Sequence, residues 1–588
     1  MAETLISPGV LARENDQSFV TSQPVERGAA IIGPTVLGPI ERPTLVSSFS
    51  AFQAIFGGAL ESGSNEYTYL TSIAANQYFQ NGGTSLLVTR VVSASSTWTP
   101  ATSSLIATSS GAPGGTNKTD GASPFVLETI TAGDIMNNEL PAETSNGALP
   151  SGSSDNIRWE ITAVNSSSGV FSLAIRRGND SNNQKVFLET YNNISLDPFA
   201  SNYISRAIGD STTQLVTEGS DTFLQETGSF PNISAYVRVK AVNYTTPNYL
   251  DNAGNFKTEF TSSLPAIGSG SFGAASGKNV PTDNPANRNP MNFYQSINST
   301  NTQGLIGTDY TNAIALLSDK DNYQYNIISA PGLYYQGYST QVNSIMNNTI
   351  ARGDAISVID LVAYNTALAT VTTQAGGIDN SYSATYWPWI QTVDPNSGQL
   401  VFIPASTFIP GVYAFTDASS DPWFAPAGIT RGGMGQVVRA ERRLTSTNRD
   451  TLYEANVNPI ATFPQQGVVV FGQKTLQKAA SALDRVNVRR LLITLKDFIS
   501  QIADNLVFEQ NTVATRQNFL TQVNPYLESV QQRQGLYAFK VVMDESNNTP
   551  DVIDRNELIG QIFLQPTRTA EFIILDFNVL PTGATFPA

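Results

Sequence analysis

The sequence predicts a multidomain α+β protein, and three observations lead there. The chain has 588 residues, enough for three or four domains of about 100–200 residues each. Alternating strand and helix signals occupy two separated stretches, near residues 28–92 and after residue 301, with a long tract of short alternating strands between them. The last third carries the clearest amphipathic helix of the chain.

Residues 1–20 are polar and irregular, with Ser7-Pro8-Gly9-Val10 as a turn into a short strand-like stretch that buries little of itself. From Gly28 to Val92 an apolar run at Ala29–Ile32 predicts a buried strand. A Gly38-Pro39 turn, a helix around Tyr67–Phe79 ending at Asn81-Gly82-Gly83, and a strand at Ser85–Val92 follow. From Ser93 to Thr300, Ser/Gly/Asn/Thr clusters separate strands such as Ile157–Val164, Val170–Arg176 and Ala235–Val242, which predicts an inserted, solvent-facing β module. The tract Gly268–Asn289 reads as a long loop. After Asn301 the β/α pattern returns, with strands at Tyr325–Ser329 and Ala355–Leu361 and a helix around Gln341–Ala351. From Arg485 to Val507, Val488, Leu491, Leu492, Leu495, Phe498, Ile499, Ile502 and Leu506 recur at i+3/i+4 spacing, and Arg485, Arg489 and Lys496 fall within an arc of about 40° beside that stripe. Finally Glu571–Leu580 alternates as a strand, with Ile573, Leu575, Phe577 and Val579 on one side, and no local partner is evident for it.

Composition narrows the chemistry. With no cysteine there is neither disulfide nor thiolate metal site, and with no histidine there is no Ser-His-Asp or Cys-His triad and no His-ligated zinc. A net charge of −15 argues against a nucleic-acid partner, whose phosphates require a basic footprint. No apolar run approaches the roughly 18 residues of a membrane span, and Met1-Ala2-Glu3-Thr4 does not open like a signal peptide, so a soluble protein made in a cytoplasm is expected. One window departs from the acidic balance: Gly428–Ser500 holds eleven Lys and Arg against five acids, leaving the remainder at −21. A basic zone in an acidic chain predicts an acidic partner surface.

Several short motifs carry no chemistry. Arg352-Gly353-Asp354 reads as a helix-ending glycine before a strand, and Gly432-Gly433-Met434-Gly435 lacks the Gly-Lys-Ser/Thr ending of a phosphate loop. Asp319-Lys320-Asp321-Asn322-Tyr323 has Gln324 where a calcium loop needs glycine. Tyr386-Trp387-Pro388-Trp389 reads as core or subunit contact. No catalytic, cofactor or metal residues are assigned.

Taken together, these segments resemble the tail sheath proteins of contractile-tailed bacteriophages and related contractile injection systems. Ile6-Ser7-Pro8-Gly9-Val10 with Arg13-Glu14 resembles the family's N-terminal arm. Gly28–Gly33, Gly38-Pro39, Phe56-Gly57, Asn81-Gly82-Gly83 and Thr89-Arg90-Val91 resemble its first domain. Tyr325–Gly332, Ser357–Leu361, Tyr386–Trp389 and Asp417 through Gly428 resemble its central domain. Asn458-Pro459-Ile460, Phe471–Thr475, Val486–Leu492 and Val507-Phe508-Glu509 resemble its C-terminal domain.

The resemblance implies an N-terminal arm (1–20), a first α/β domain (21–92), a variable outer insertion (93–300), a subtilisin-like α/β central domain (301–457), a tube-facing α+β C-terminal domain (458–570) and a C-terminal arm (571–588). It implies a non-enzymatic, cofactor-free subunit that polymerises helically with itself around a tail tube protein, bounded by baseplate and tail terminator proteins. It would touch no nucleic acid and insert in no membrane. Contraction would drive the tube through the host envelope during genome delivery. The subunit is expected in the virion tail after assembly in the host bacterial cytoplasm. Strand exchange is expected at Val10 and Leu11 and at Ile573, Leu575, Phe577 and Val579. Tube contact is expected at Lys474, Lys478, Arg485, Arg489 and Lys496. The sheath of a phage-derived bacteriocin or cellular injection system, a β-rich receptor-binding or decoration protein, and an enzyme on a subtilisin-like scaffold are the other readings.

Overall fold

The computed structural model describes residues 27–62, 65–108, 123–139, 146–219, 221–279 and 293–571. They fall into two compact units: Arg27–Arg490, and a second unit described from Leu491 to Glu571.

The first unit is organised by an eight-stranded sheet. Six strands run parallel in the order Leu86–Arg90, Ala29–Gly33, Ile327–Tyr334, Ile356–Asp360, Ser383–Trp387, Asn458–Phe463. Antiparallel strands Thr44–Val46 and Gly467–Val470 close the two edges. The strands Ala29–Gly33, Leu86–Arg90, Ile356–Asp360 and Ser383–Trp387 are buried at every position, as a parallel sheet covered on both faces requires. Helices Leu70–Gln80 and Tyr335–Arg352 pack on it. The first has nine of its eleven residues buried, so it lacks the one-sided pattern of a surface helix. Gly353, at φ 70°, caps the second in the left-handed conformation that glycine adopts without strain.

This sheet corrects two expected boundaries. Residues 21–92 and 301–457 do not form separate domains, because Ala29–Ile31 pairs directly with Ile327–Ser329. Nor does the sheet stop at residue 457, since Asn458–Phe463 and Gly467–Val470 extend it. The junction is held by Asn458, fully buried, whose amide donates to Thr385 O (3.0 Å) and Lys474 O (2.8 Å) and accepts from Lys474 N (2.6 Å). A buried amide satisfied on three sides fixes strand position as firmly as a ladder bond.

The tract between the two halves of the sheet builds its own core. Strands Ile157–Asn165, Val170–Arg177, Phe187–Ser195 and Gly268–Gly270 form one antiparallel sheet. Pro100–Ser103, Phe125–Ala132, Val237–Val242 and Phe272–Gly273 form another. Their apolar faces share a cluster that includes Phe125, Trp159 and Phe171, with the two phenyl rings 5.4 Å apart. The expected loop at Gly268–Asn289 is therefore strand over Gly268–Gly270 and Phe272–Gly273. Gly270 is needed for close approach: a Cβ there would meet the Trp159 ring at 2.5 Å.

In the second unit, Phe498 of helix Val486–Asp504 stacks on Tyr526 of helix Val513–Gln532, centroids 3.7 Å apart. Thr512 caps the latter by accepting from Thr515 N. Strands Leu536–Val542 and Gln561–Pro566 form an antiparallel ribbon against that second helix. Among the described residues, no helix is long and apolar enough to cross a membrane.

Candidate assembly surfaces

Two kinds of surface bear on assembly: strand edges and charge. Among the described residues the ribbon of the second unit has two strands. Its pairs Phe539↔Leu564 and Val541↔Ile562 are half-buried, while Lys540 and Phe563 on the other face are exposed. A two-stranded sheet is marginal alone and stable once a third strand or a helix covers it. By contrast, the edge strand Gly467–Val470 is covered, with Met434 N donating to Val468 O (3.0 Å) and Val470 N to Gly432 O (2.8 Å). The Gly432–Gly435 segment is thus a backbone patch over a sheet edge. Val10, Leu11, Ile573, Leu575, Phe577 and Val579 lie outside the described residues.

The five cations expected to face a tube do not form one exposed arc. Lys474 and Arg485 meet across an isolated β-bridge and share Tyr453, their charged groups 4.5 and 6.0 Å from its ring centroid. Lys474 Nζ also donates to Tyr453 O (2.7 Å), and Arg485 pairs with Asp484 (2.9 Å). Lys478 is exposed and donates to Gly376 O (2.6 Å). Arg489 is 4% exposed: it donates to Ser381 O (3.1 Å) and lies 3.9 Å from the Tyr382 ring centroid, and burial lowers its pKa. Lys496 is exposed and belongs to the second unit. Helical periodicity gives only the angular spacing expected of Arg485, Arg489 and Lys496. It does not tell what stands opposite them, and residues Val486–Leu491 are buried on every side.

Much of the basic window is engaged with aromatic rings, and two of its cations, Arg489 and Arg490, are buried. Of its eleven cations, Arg431, Arg439, Arg442, Arg449, Lys474, Arg485, Arg489 and Arg490 each lie over an aromatic ring. Nearly all of it sits in the first unit, and residues 491–571 carry six Lys and Arg against ten Asp and Glu.

Other motifs resolve into structure. Arg352 binds Asp354 through two bonds (3.0 and 2.9 Å) and donates to Leu317 O and Tyr323 O, so the Arg-Gly-Asp triplet is an internal clamp. The Asp319 carboxylate accepts from Asp321 N and Asn322 N, an Asx turn. Tyr386, Trp387 and Trp389 are core. Among the described residues no group of three or more His, Cys, Asp or Glu is placed to hold a metal.

Three residues stand out that periodicity did not single out. Arg90 is fully buried in the sheet and donates to Gly38 O (2.6 Å), Val36 O (3.2 Å), Ala132 O (3.3 Å) and Asn279 Oδ1 (3.3 Å), with Trp98 5.1 Å away. Burial lowers its pKa to about 10. Asp360 ends a parallel strand, buried against the Ser406 amide (3.1 Å) and hydroxyl, and burial lifts its pKa to about 7. Phe508 is 100% exposed at φ 71°. The available signal for it was an apolar pair, Val507-Phe508, just beyond the amphipathic stripe.

Residues 303–476 match the family model for the phage tail sheath protein central domain, and residues 478–580 match that for the phage tail sheath C-terminal domain. The tail sheath protein of Vibrio phage KVP40 is 39% identical over 216 residues, 37% of this chain and 31% of that protein. The tail sheath protein of Enterobacteria phage T4 is 35% identical over 230 residues, 39% of this chain and 35% of that protein. The chain thus spans about a third of the length of these relatives. A sheath tail protein from Listeria innocua shares the fold at 12% identity and a TM-score of 0.50, covering 93% of this chain and 96% of that one. Over residues 303–580, then, the chain is similar to phage tail sheath proteins in their central and C-terminal domains.

Proposed function

We propose that this chain is the structural subunit of a contractile tail sheath. It polymerises helically around an inner tube and, on triggering at a baseplate, contracts to drive that tube through a host cell envelope. The observation that carries this reading is the succession of the two sheath domains over residues 303–580, in order and nearly without a gap. The work is mechanical: free energy stored in an extended lattice is released as subunits move. The subunit needs no cofactor and catalyses no reaction, in keeping with a sequence without histidine or cysteine.

Supporting strand exchange is the ribbon Leu536–Val542/Gln561–Pro566, a small sheet suited to further strands from neighbouring copies. Heterologous contacts of that kind propagate as a helix instead of closing. The strand order of the large sheet and its mainly parallel pairing support a subtilisin-like central domain. For tube contact, Lys478 and Lys496 are the exposed candidates, with Lys474 and Arg485 beside Tyr453. The subunit would reside in the virion tail after assembly in the bacterial cytoplasm, with tube, baseplate and terminator proteins as partners.

Negative-stain microscopy of the purified full chain tests the proposal. Long, regularly striated tubes are expected at concentrations where a globular protein stays dispersed. Strict monomers at every concentration and salt strength overturn it.

A further inference from the structure

The turn 505–512, between the two long helices of the second unit, exposes Val507 and Phe508, and Val513 at the start of the next helix is exposed beside it. Phe508 is 100% exposed, Val507 60% and Val513 55%. Phe508 also holds φ 71°, a left-handed backbone that a bulky side chain adopts at a cost of about 1 kcal/mol or more. Glycine would hold this turn without strain, so a fully exposed phenyl ring there has no account within the packing of the described residues. Around it the charge is negative: Asp504 and Glu509 are exposed, and the unit as described carries six cations against ten acids.

The first unit carries the complement. Ile429, Val438 and Phe471 are exposed at 58%, 54% and 44%. They come from helix Gly428–Arg431, strand Val437–Ala440 and the residue after edge strand Gly467–Val470. The first two elements both pack on that edge strand. Residues 428–490 hold ten cations against four acids, and Arg439 and Arg443 are exposed. One acid of the window, Glu441, is bound to Asn365 N (2.7 Å).

We propose that the turn 505–512 of one copy docks, Phe508 foremost, on the Ile429–Val438–Phe471 patch of a second copy. Its acidic flank meets that copy's arginines. The two surfaces differ, so the contact is heterologous and propagates from copy to copy. Apolar burial supplies affinity, and the opposed charges set orientation and encounter rate. This inference rests on the sheath reading and names one of its lattice contacts.

The test measures the protein concentration at which the full chain begins to form sedimentable tubes, with the thermal melt recorded alongside. Phe508→Gly removes the ring and suits the left-handed backbone. It should melt at the wild-type temperature or above while raising the assembly threshold at least tenfold. Ile429→Ser on the opposite surface should raise the threshold similarly, with its fold checked by the same melt. Asp504→Lys with Glu509→Lys should block assembly, and adding Arg439→Glu with Arg443→Glu should restore it. Wild-type tubes with unchanged thresholds in Phe508→Gly or Ile429→Ser overturn this contact and leave the sheath reading standing. A wild type that never forms tubes overturns the sheath reading itself, and this contact with it.

Discussion

Arg489 and Tyr382 meet at 3.9 Å although 107 positions separate them, and such pairs account for most of the basic window. A stacked cation contributes about 0.5–1 kcal/mol when exposed and about 2 when desolvated. Sequence spacing counts charges without saying which already lie against a ring within the chain. Asp360 is the opposite case, a buried acid without a cation, facing only the Ser406 amide and hydroxyl among its hydrogen-bond partners. Its folded pKa of about 7 exceeds the unfolded value of about 4, so the folded chain binds the extra proton between those limits. Its contribution to stability is therefore fully present below about pH 4 and is lost as pH rises to about 7. Asp360→Asn keeps the shape and removes the titration. The variant should melt higher than wild type at pH 8 and show little advantage at pH 4. Three pH units bound the gain at about 4 kcal/mol. Thermal melts across pH 4–8 check this, and parallel curves for the two proteins would place the ionised carboxylate at ease in its site.

At the scale of elements, strands and long helices were legible and their partners were not. The strands Ile157–Asn165 and Val170–Arg177 and the helix Val486–Asp504 lie within a few residues of their expected bounds, because period-2 and 3.6 patterns are local properties. That Ala29–Gly33 sits beside Ile327–Tyr334 is a non-local fact, and an insertion of some two hundred residues conceals it. The glycines of Gly268–Gly273 misled for a related reason. Gly270 serves close approach to Trp159, a role that composition alone does not separate from that of a loop glycine. The ribbon Leu536–Val542/Gln561–Pro566 carries the element-scale prediction. If it takes up strands from neighbours, deleting residues 1–20 or 572–588 should abolish tubes while the shortened chain stays soluble and melts cooperatively. Sedimentation and circular dichroism read the two properties separately. Ordered tubes of normal length from either truncation would remove that end from the lattice.

For the whole molecule, the question is how far the inserted β module is separable from the sheet that hosts it. Its own core, around Phe125, Trp159 and Phe171, argues for an independent body, and Val92 and Asn301 line one cleft, so a short linker bridges the excision. Arg90 argues the other way. Its guanidinium, buried in the large sheet, spends two of its hydrogen bonds on Ala132 O and Asn279 Oδ1 and packs by Trp98, all three supplied by the module. Gly38 N also donates to Thr131 Oγ1 (3.1 Å), and Arg42 approaches Glu226 at 3.7 Å. The Arg42 pair is exposed and contributes little. The Arg90 contacts are buried, and each hydrogen-bonding group left unmet there costs about 1–3 kcal/mol, more where charge is involved. Replacing residues 94–299 with a Gly/Ser linker should therefore lower the melting temperature of the remaining chain even though no residue of the sheet is altered. Arg90→Met should also destabilise the full chain, by stripping acceptors of their donor. Made together, the two changes should cost less than the sum of their separate effects, because each removes what the other leaves unpaired, with a coupling of about 1 kcal/mol or more. A double-mutant cycle on denaturant melts measures that coupling. If the effects simply add, Arg90 is not the bond between module and sheet. If they do not, the linker chain with Arg90→Met becomes the form in which to ask whether tubes assemble without the module at all.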